Sequence, residues 1–205
     1  MSEKPAIVLV HGFWGGAARW SKVITELHRR GFRDLHAVEN PLTSPADDAE
    51  RTRKMIRQID GPVVLVGDSY GGAVITEAGD LPNVSALVYV AAFAPDAGES
   101  PGALTEQHPP GGLPPHRAGL GRLPPAPLGS TFGDTVTAPA WRAKPSWYQV
   151  STRDHMIHPD NHRMMAERMN PRKGVELDSS HASLASQPGP VCDLIEAAAN
   201  ETAAR

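Results

Sequence analysis

Val63-Val64-Leu65-Val66-Gly67-Asp68-Ser69-Tyr70-Gly71-Gly72 decides the reading of this chain. Four apolar, mostly β-branched residues make a short strand buried on both faces. Residues 71–79 then read as a helix that begins directly where the strand ends. A serine between glycines at such a strand-to-helix junction sits on a sharp turn, lifted above the carboxyl end of a sheet. The positive end of the following helix dipole favours negative charge developing there. Ser69 is therefore the candidate nucleophile.

Outward from that junction the chain keeps a βαβ rhythm. Towards the amino end, residues 6–10 form a five-residue apolar strand, followed by a glycine-rich loop over residues 11–17. In residues 19–30, Trp20, Val23, Ile24 and Leu27 recur at i, i+3, i+4 and i+7, one helical stripe, with Gly31 placed for a C-terminal cap. A weaker strand spans 35–39. Ser44 and Pro45 then open a helix to about residue 60, with Asp47 and Asp48 near its positive end. Beyond the serine, residues 84–93 read as a strand, 147–151 as a strand, 159–169 as a helix, 175–178 as a strand and 191–200 as a closing helix. Six unalternating strands joined by helices predict a mainly parallel sheet covered on both faces. The rhythm breaks only over residues 97–133, where 8 Pro and 8 Gly fall among 37 residues. That composition excludes long helices, so the stretch reads either as a cap lying over a site or as a partly disordered excursion, inserted at about 96–140 in one domain over residues 1–205.

A serine hydroxyl needs a base within hydrogen-bond reach. Asp154 and His181 follow in the order Ser…Asp…His, each in a loop just past the carboxyl end of a predicted strand, the edge on which parallel sheets carry their sites. The acid would fix the imidazole tautomer and stabilise the imidazolium formed when Ser69 loses its proton. Asp160 and Asp178 are rival acids, the first in a helix's first turn and the second too near His181 along the chain. The loop after the first strand brings backbone donors for an oxyanion, the amides of Phe13 and of Tyr70. His11 braces that loop. Trp14, Phe93, Met156 and Leu184 are candidates for an apolar substrate pocket. His155, His158 and His162 raise the question of a metal site with Asp154 and Asp160, but Pro159 interrupts any helix that would align them, so no metal is expected.

The stretches IVLVHGFWGGAARW, PVVLVGDSYGGAVI, ALVYVAAFAPDAGES, PSWYQVSTRDHMI and SSHASLASQP resemble the bacterial α/β-hydrolase family related to plant methyl-ester esterases and hydroxynitrile lyases. The resemblance implies an α/β-hydrolase fold with strand order 2-1-3-4-5-6, a cap after the fourth strand and no cofactor. It puts nucleophile, acid and base on Ser69, Asp154 and His181. Two departures stand out. Relatives usually carry His before the serine, where this chain has Asp68, and their cap is longer and helix-forming. A carboxylate at 68 would hold nearby protons more tightly and disfavour anionic substrates.

The expected function is hydrolysis of a small ester or related acyl substrate. Two alternatives stay open: a weakly active or inactive ligand-binding homologue, motivated by Asp68 and the cap, and hydroxynitrile-lyase-like chemistry on the same three residues. With 20 Lys and Arg against 23 Asp and Glu, no basic field invites nucleic acid. The apolar run at 6–10 is too short for a signal or membrane segment, so a cytoplasmic protein is expected. Cys192, the single cysteine, reads as a buried structural thiol. Oligomeric state is not legible.

Overall fold

A computed structural model describes residues 4–13, 15–109 and 128–203. The elements, in chain order, are β1 Ala6–Val10, α1 Ser21–Arg29, β2 Leu35–Val38, α2 Pro45–Ile56, β3 Val63–Asp68, α3 Gly71–Ala78 and β4 Val84–Val90. There follow α4 Pro101–Gln107, α5 Leu128–Gly133, β5 Ser146–Ser151, α6 Pro159–Met169, β6 Lys173–Leu177, α7 Ser183–Ser186 and α8 Pro188–Ala203. The six strands pair in parallel in the order β2-β1-β3-β4-β5-β6, the order that the resemblance implied.

The unalternating apolar strands are explained by two cores. In β1, Ala6, Val8 and Val10 face one core while Ile7 and Leu9 face the other. In β3, Val63 and Leu65 take the first side and Val64 and Val66 the second. The first core is filled from α2, α3 and α6 by Ile56, Val74, Ile75 and Met165. The second is filled from α1 and α8 by Val23, Leu27, Val191, Leu194, Ile195 and Ala198. Cys192 is buried there, and burial pushes its thiol up to about 12.

The capping signals act as predicted. Ser44 Oγ accepts from the Asp47 amide at 3.1 Å, with Pro45 in the first turn of α2. Ser100 and Pro101 repeat the device at α4, where Ser100 Oγ accepts from the Ala103 amide at 3.1 Å. Several boundaries differ from expectation. The fourth strand ends at Val90 rather than 93, because Ala91 takes a left-handed φ of 44° that turns the chain towards Ser69. The stripe at 19–30 is split, a 3₁₀ turn at Ala17–Trp20 preceding α1. The closing helix begins earlier than residue 191, at Pro188. Within the Pro/Gly-rich stretch the described helices are short, seven residues in α4 and six in α5, while residues 110–127 lie outside the described set. Among the described residues no helix is long and apolar enough to cross a membrane.

Candidate active site

Ser69 follows β3 with a φ of 56°, the left-handed conformation that side-chain-bearing residues adopt rarely. Its backbone is tied down on both sides. The Ser69 amide donates to the Val90 carbonyl at 3.3 Å, and the Ser69 carbonyl accepts from Gly72 and Phe93 amides, each at 3.0 Å. The turn also needs room behind it. A Cβ on Gly71 would lie 2.3 Å from the Val10 carbonyl oxygen, so the helix can start against β1 only without a side chain there.

Parallel pairing brings the other two residues to the same edge. Asp154 lies past β5 and His181 past β6, and their loops are stitched together. Arg153 donates its amide to the Ser179 carbonyl at 3.0 Å, and the Ser151 and Ser179 hydroxyls meet at 3.0 Å. Ser183 Oγ donates to Gln149 Oε1 at 2.7 Å, fastening α7 to β5. The outcome is a line of three side chains. His181 Nδ1 is 2.6 Å from Asp154 Oδ2, and His181 Nε2 is 2.8 Å from Ser69 Oγ. An ionised carboxylate only accepts, so Nδ1 carries the proton and the Nε2 lone pair faces the serine hydroxyl. Burial alone would raise the Asp154 pKa, but N–H donors from His162 and His181 outweigh it and hold the carboxyl well below the usual range. Ser69 is buried, with 7% of its surface exposed.

The loop after β1 closes the other side. A Cβ on Gly12 would lie 2.6 Å from Ser69 Cβ, so the backbone leading to Phe13 passes directly over the serine. His11 does brace this loop. Its Nε2 accepts from the Asn40 amide at 3.0 Å, so Nδ1 carries the proton and donates to the Gly12 carbonyl at 2.7 Å. Phe13 packs on Tyr70 with ring centroids 4.5 Å apart, and the Tyr70 hydroxyl donates to Asp48 Oδ2 at 2.8 Å. Asp48 Oδ1 accepts from the Leu42 amide at 2.9 Å, and burial raises this carboxyl's pKa against those bonds.

Of the four pocket candidates, Phe93 and Leu184 lie on opposite faces of the sheet. Phe93 lies in the first core, its ring edge-on to Phe132 at 5.8 Å. Leu184 belongs to the second core, across the sheet. Met156 is half-buried, its amide donating to Asp154 Oδ1 at 2.7 Å. Trp14 lies outside the described residues. The apolar wall that does form is aromatic: Phe13, Tyr70 and Phe93 around Phe132, whose ring stands 4.7 Å from that of Phe13. Phe132 comes from α5, inside a stretch whose composition masked it.

The sequence also left three partners unread. Asp68 is completely buried, and its charge is met by Arg19, whose Nη2 is 3.2 Å from Asp68 Oδ2. Burial raises the Asp68 pKa, with Arg19 as the largest opposing influence. His162, weighed only for metal binding, is buried with Nε2 2.9 Å from Asp154 Oδ2 and Nδ1 3.0 Å from the Tyr148 hydroxyl. Its two neighbours in sequence go elsewhere: His158 caps α6 by accepting from the Asp160 amide at 3.2 Å, and His155 is exposed. Of the rival acids, Asp178 is exposed and paired with Arg153 at 2.5 Å, and Asp160 lies in the first turn of α6.

Comparison with known proteins gives consistent relatives. A family model described as "Alpha/beta hydrolase family" matches residues 7–194. A carbendazim hydrolyzing esterase from Nocardioides sp. (strain SG-4G) is 35% identical over 110 residues, 47% of this chain and 46% of that one. Methylesterase 2 from Arabidopsis thaliana is 37% identical over 125 residues, 52% of this chain and 48% of that one. The matched stretches thus span about half the length of those relatives. A pyrethroid hydrolase from Sphingobium faniae JZ-2 superposes with a TM-score of 0.77 at 21% identity, over 98% of this chain and 99% of that one.

Proposed function

Since the chain belongs to the alpha/beta hydrolase family, we propose that it is a carboxylesterase-like serine hydrolase acting on a small, apolar ester. Ser69 is the nucleophile, His181 the general base, Asp154 its acid partner, and the amides of Phe13 and Tyr70 the oxyanion donors. The observation that carries this reading is the 2.8 Å approach of His181 Nε2 to the oxygen of a strained, left-handed serine. Esterases among the relatives, the carbendazim hydrolyzing enzyme and the methylesterase, support the same class.

The chemistry follows from the protonation states. His181 Nε2 takes the Ser69 proton as Oγ bonds to the substrate carbonyl carbon, and the oxyanion forms beside the Gly12–Phe13 backbone. The carbon–oxygen bond to the alcohol then breaks, and His181 returns the proton to the departing oxygen. A water gives a proton to the same nitrogen and attacks the acyl carbon, and Ser69 leaves with that proton restored. Asp154 stays ionised throughout and stabilises the imidazolium. The aromatic wall of Phe13, Tyr70, Phe93 and Phe132 suits an apolar acyl or alcohol group, and the segment at about 96–140 serves as the cap that carries Phe132.

The test is covalent. A fluorophosphonate should label the protein once, on Ser69 by peptide mass spectrometry, and short p-nitrophenyl esters should turn over steadily. Ser69→Ala should lose both, with kcat falling by at least about 10³-fold. An unlabelled, inactive parent protein would overturn the proposal.

A further inference from the structure

Asp154 has more partners than a catalytic acid needs. Its Oδ1 accepts from the Met156 and Ile157 amides at 2.7 and 3.1 Å, while Oδ2 receives both His181 Nδ1 at 2.6 Å and His162 Nε2 at 2.9 Å. His162 is fully buried on α6, and the line continues beyond it. The Tyr148 hydroxyl stands 3.0 Å from His162 Nδ1 and donates to the Ala92 carbonyl at 2.5 Å. Ala92 precedes Phe93, whose amide donates to the Ser69 carbonyl, so the line begins at the Ser69 hydroxyl and ends at the Ser69 backbone. Six groups, Ser69, His181, Asp154, His162, Tyr148 and the Ala92–Phe93 peptide, drawn from β5, α6 and the turns after β3, β4, β5 and β6, thus form one circuit, in which the single Tyr148 proton is shared between the Ala92 carbonyl and His162 Nδ1.

Resting on the reading of Ser69, His181 and Asp154 given above, we propose that His162 is a positioning residue of the site. It donates Nε2–H to Asp154 Oδ2, keeps that carboxylate aimed at His181, and divides its charge between two imidazoles.

Asp154 is ionised and can only accept, so the His162 proton must sit on Nε2. Burial pushes the His162 pKa down against the pull of Asp154, which keeps the ring neutral. A neutral donor steadies a carboxylate without cancelling its charge, so Asp154 can still stabilise a cationic His181. The other titratable and charged groups facing the circuit are Asp68 with Arg19 behind it, Tyr89 beside Tyr148, and Arg163 and Arg168 on α6. Arg163 opposes a proton on His162, and Arg168 opposes one on Tyr148. Removing His162 leaves Asp154 with His181 as its one side-chain N–H donor, and the concentrated charge holds the His181 proton more tightly.

The experiment is the pH dependence of the rate at which fluorophosphonate labels Ser69, in the parent, His162→Leu and His162→Gln. In His162→Leu the plateau rate should fall about tenfold and the acid limb should move up by about one pH unit. His162→Gln, whose amide N–H can reach the same oxygen, should return the limb to within a few tenths of a unit. Nitrogen-15 NMR of the parent should show His162 neutral, protonated on Nε2 and not titrating between pH 5 and 8. Profiles of Leu and Gln variants that superimpose on the parent, even with a lower Tm, would reduce His162 to a structural part and overturn the proposal. So would an Nδ1-protonated or cationic His162, a result available even if the leucine variant fails to fold. Absence of labelling in the parent would instead count against Ser69 as nucleophile, leaving the NMR result to decide the role of His162.

Discussion

At Arg19 and Asp68 one pair of side chains decides whether a buried charge can be borne beside Ser69. Asp68 has no exposure, and the Arg19 side chain is about a quarter exposed. Truncating Arg19 to alanine would leave a carboxylate in the interior without its cation. We expect Arg19→Ala to lower stability by about 3–5 kcal/mol near neutral pH, read from urea unfolding. The pH dependence has a definite sign. The folded pKa of Asp68 is raised above its unfolded value, so its favourable contribution is complete below about pH 4 and is lost as pH rises through the folded value. The deficit of Arg19→Ala should therefore shrink on acidification, and a deficit that grew would contradict the pairing. The residue before Ser69 was noticed as a departure in the sequence, but its partner 49 positions away was not. Nothing about an arginine between Ala18 and Trp20 announces which carboxylate it will meet.

On the scale of single elements, α2 does more than cover the sheet. It starts at a cap, Ser44, and four residues later presents Asp48 to the Tyr70 hydroxyl, so its first turn holds the residue that follows Ser69. Ser44→Ala should cost about 1 kcal/mol, shifting the urea midpoint without changing the slope. An unchanged midpoint would mean that the Asp47 amide finds another acceptor. The cap was readable because its chemistry is local: a serine, a proline and two acids within five residues. The end of β4 was not, because the apolar run continues through Phe93 while the hydrogen bonds to Ser69 require the turn at Ala91.

Taken whole, the molecule holds Asp154 in a state that ties stability to pH. Asp154 has a folded pKa well below the usual range, so its contribution is present above the unfolded value near 4 and disappears as pH falls towards the folded one. We expect urea stability to drop between about pH 5 and 3, with the drop reduced in Asp154→Asn, which should be less stable than the parent at pH 7. Equal pH slopes for the two proteins would refute that linkage. Asp48 and Asp68 act with the opposite sign, since burial raises both.

Periodicity, turn chemistry and loop position by themselves determined the parallel sheet, its two covered faces, the elbow at Ser69 and the chain positions of Asp154 and His181. Each of these follows from neighbours along the chain or from the rule that sites gather at the carboxyl edge of such a sheet. Tertiary structure alone decided that Arg19 meets Asp68, that His162 reaches Asp154, and that Leu184 falls on the far core while Phe132 joins the aromatic wall. These are contacts between side chains remote in sequence, and their identity depends on how elements cross and which face each residue turns inward. Hydrophobic pattern specifies that a residue is buried; only packing specifies against what.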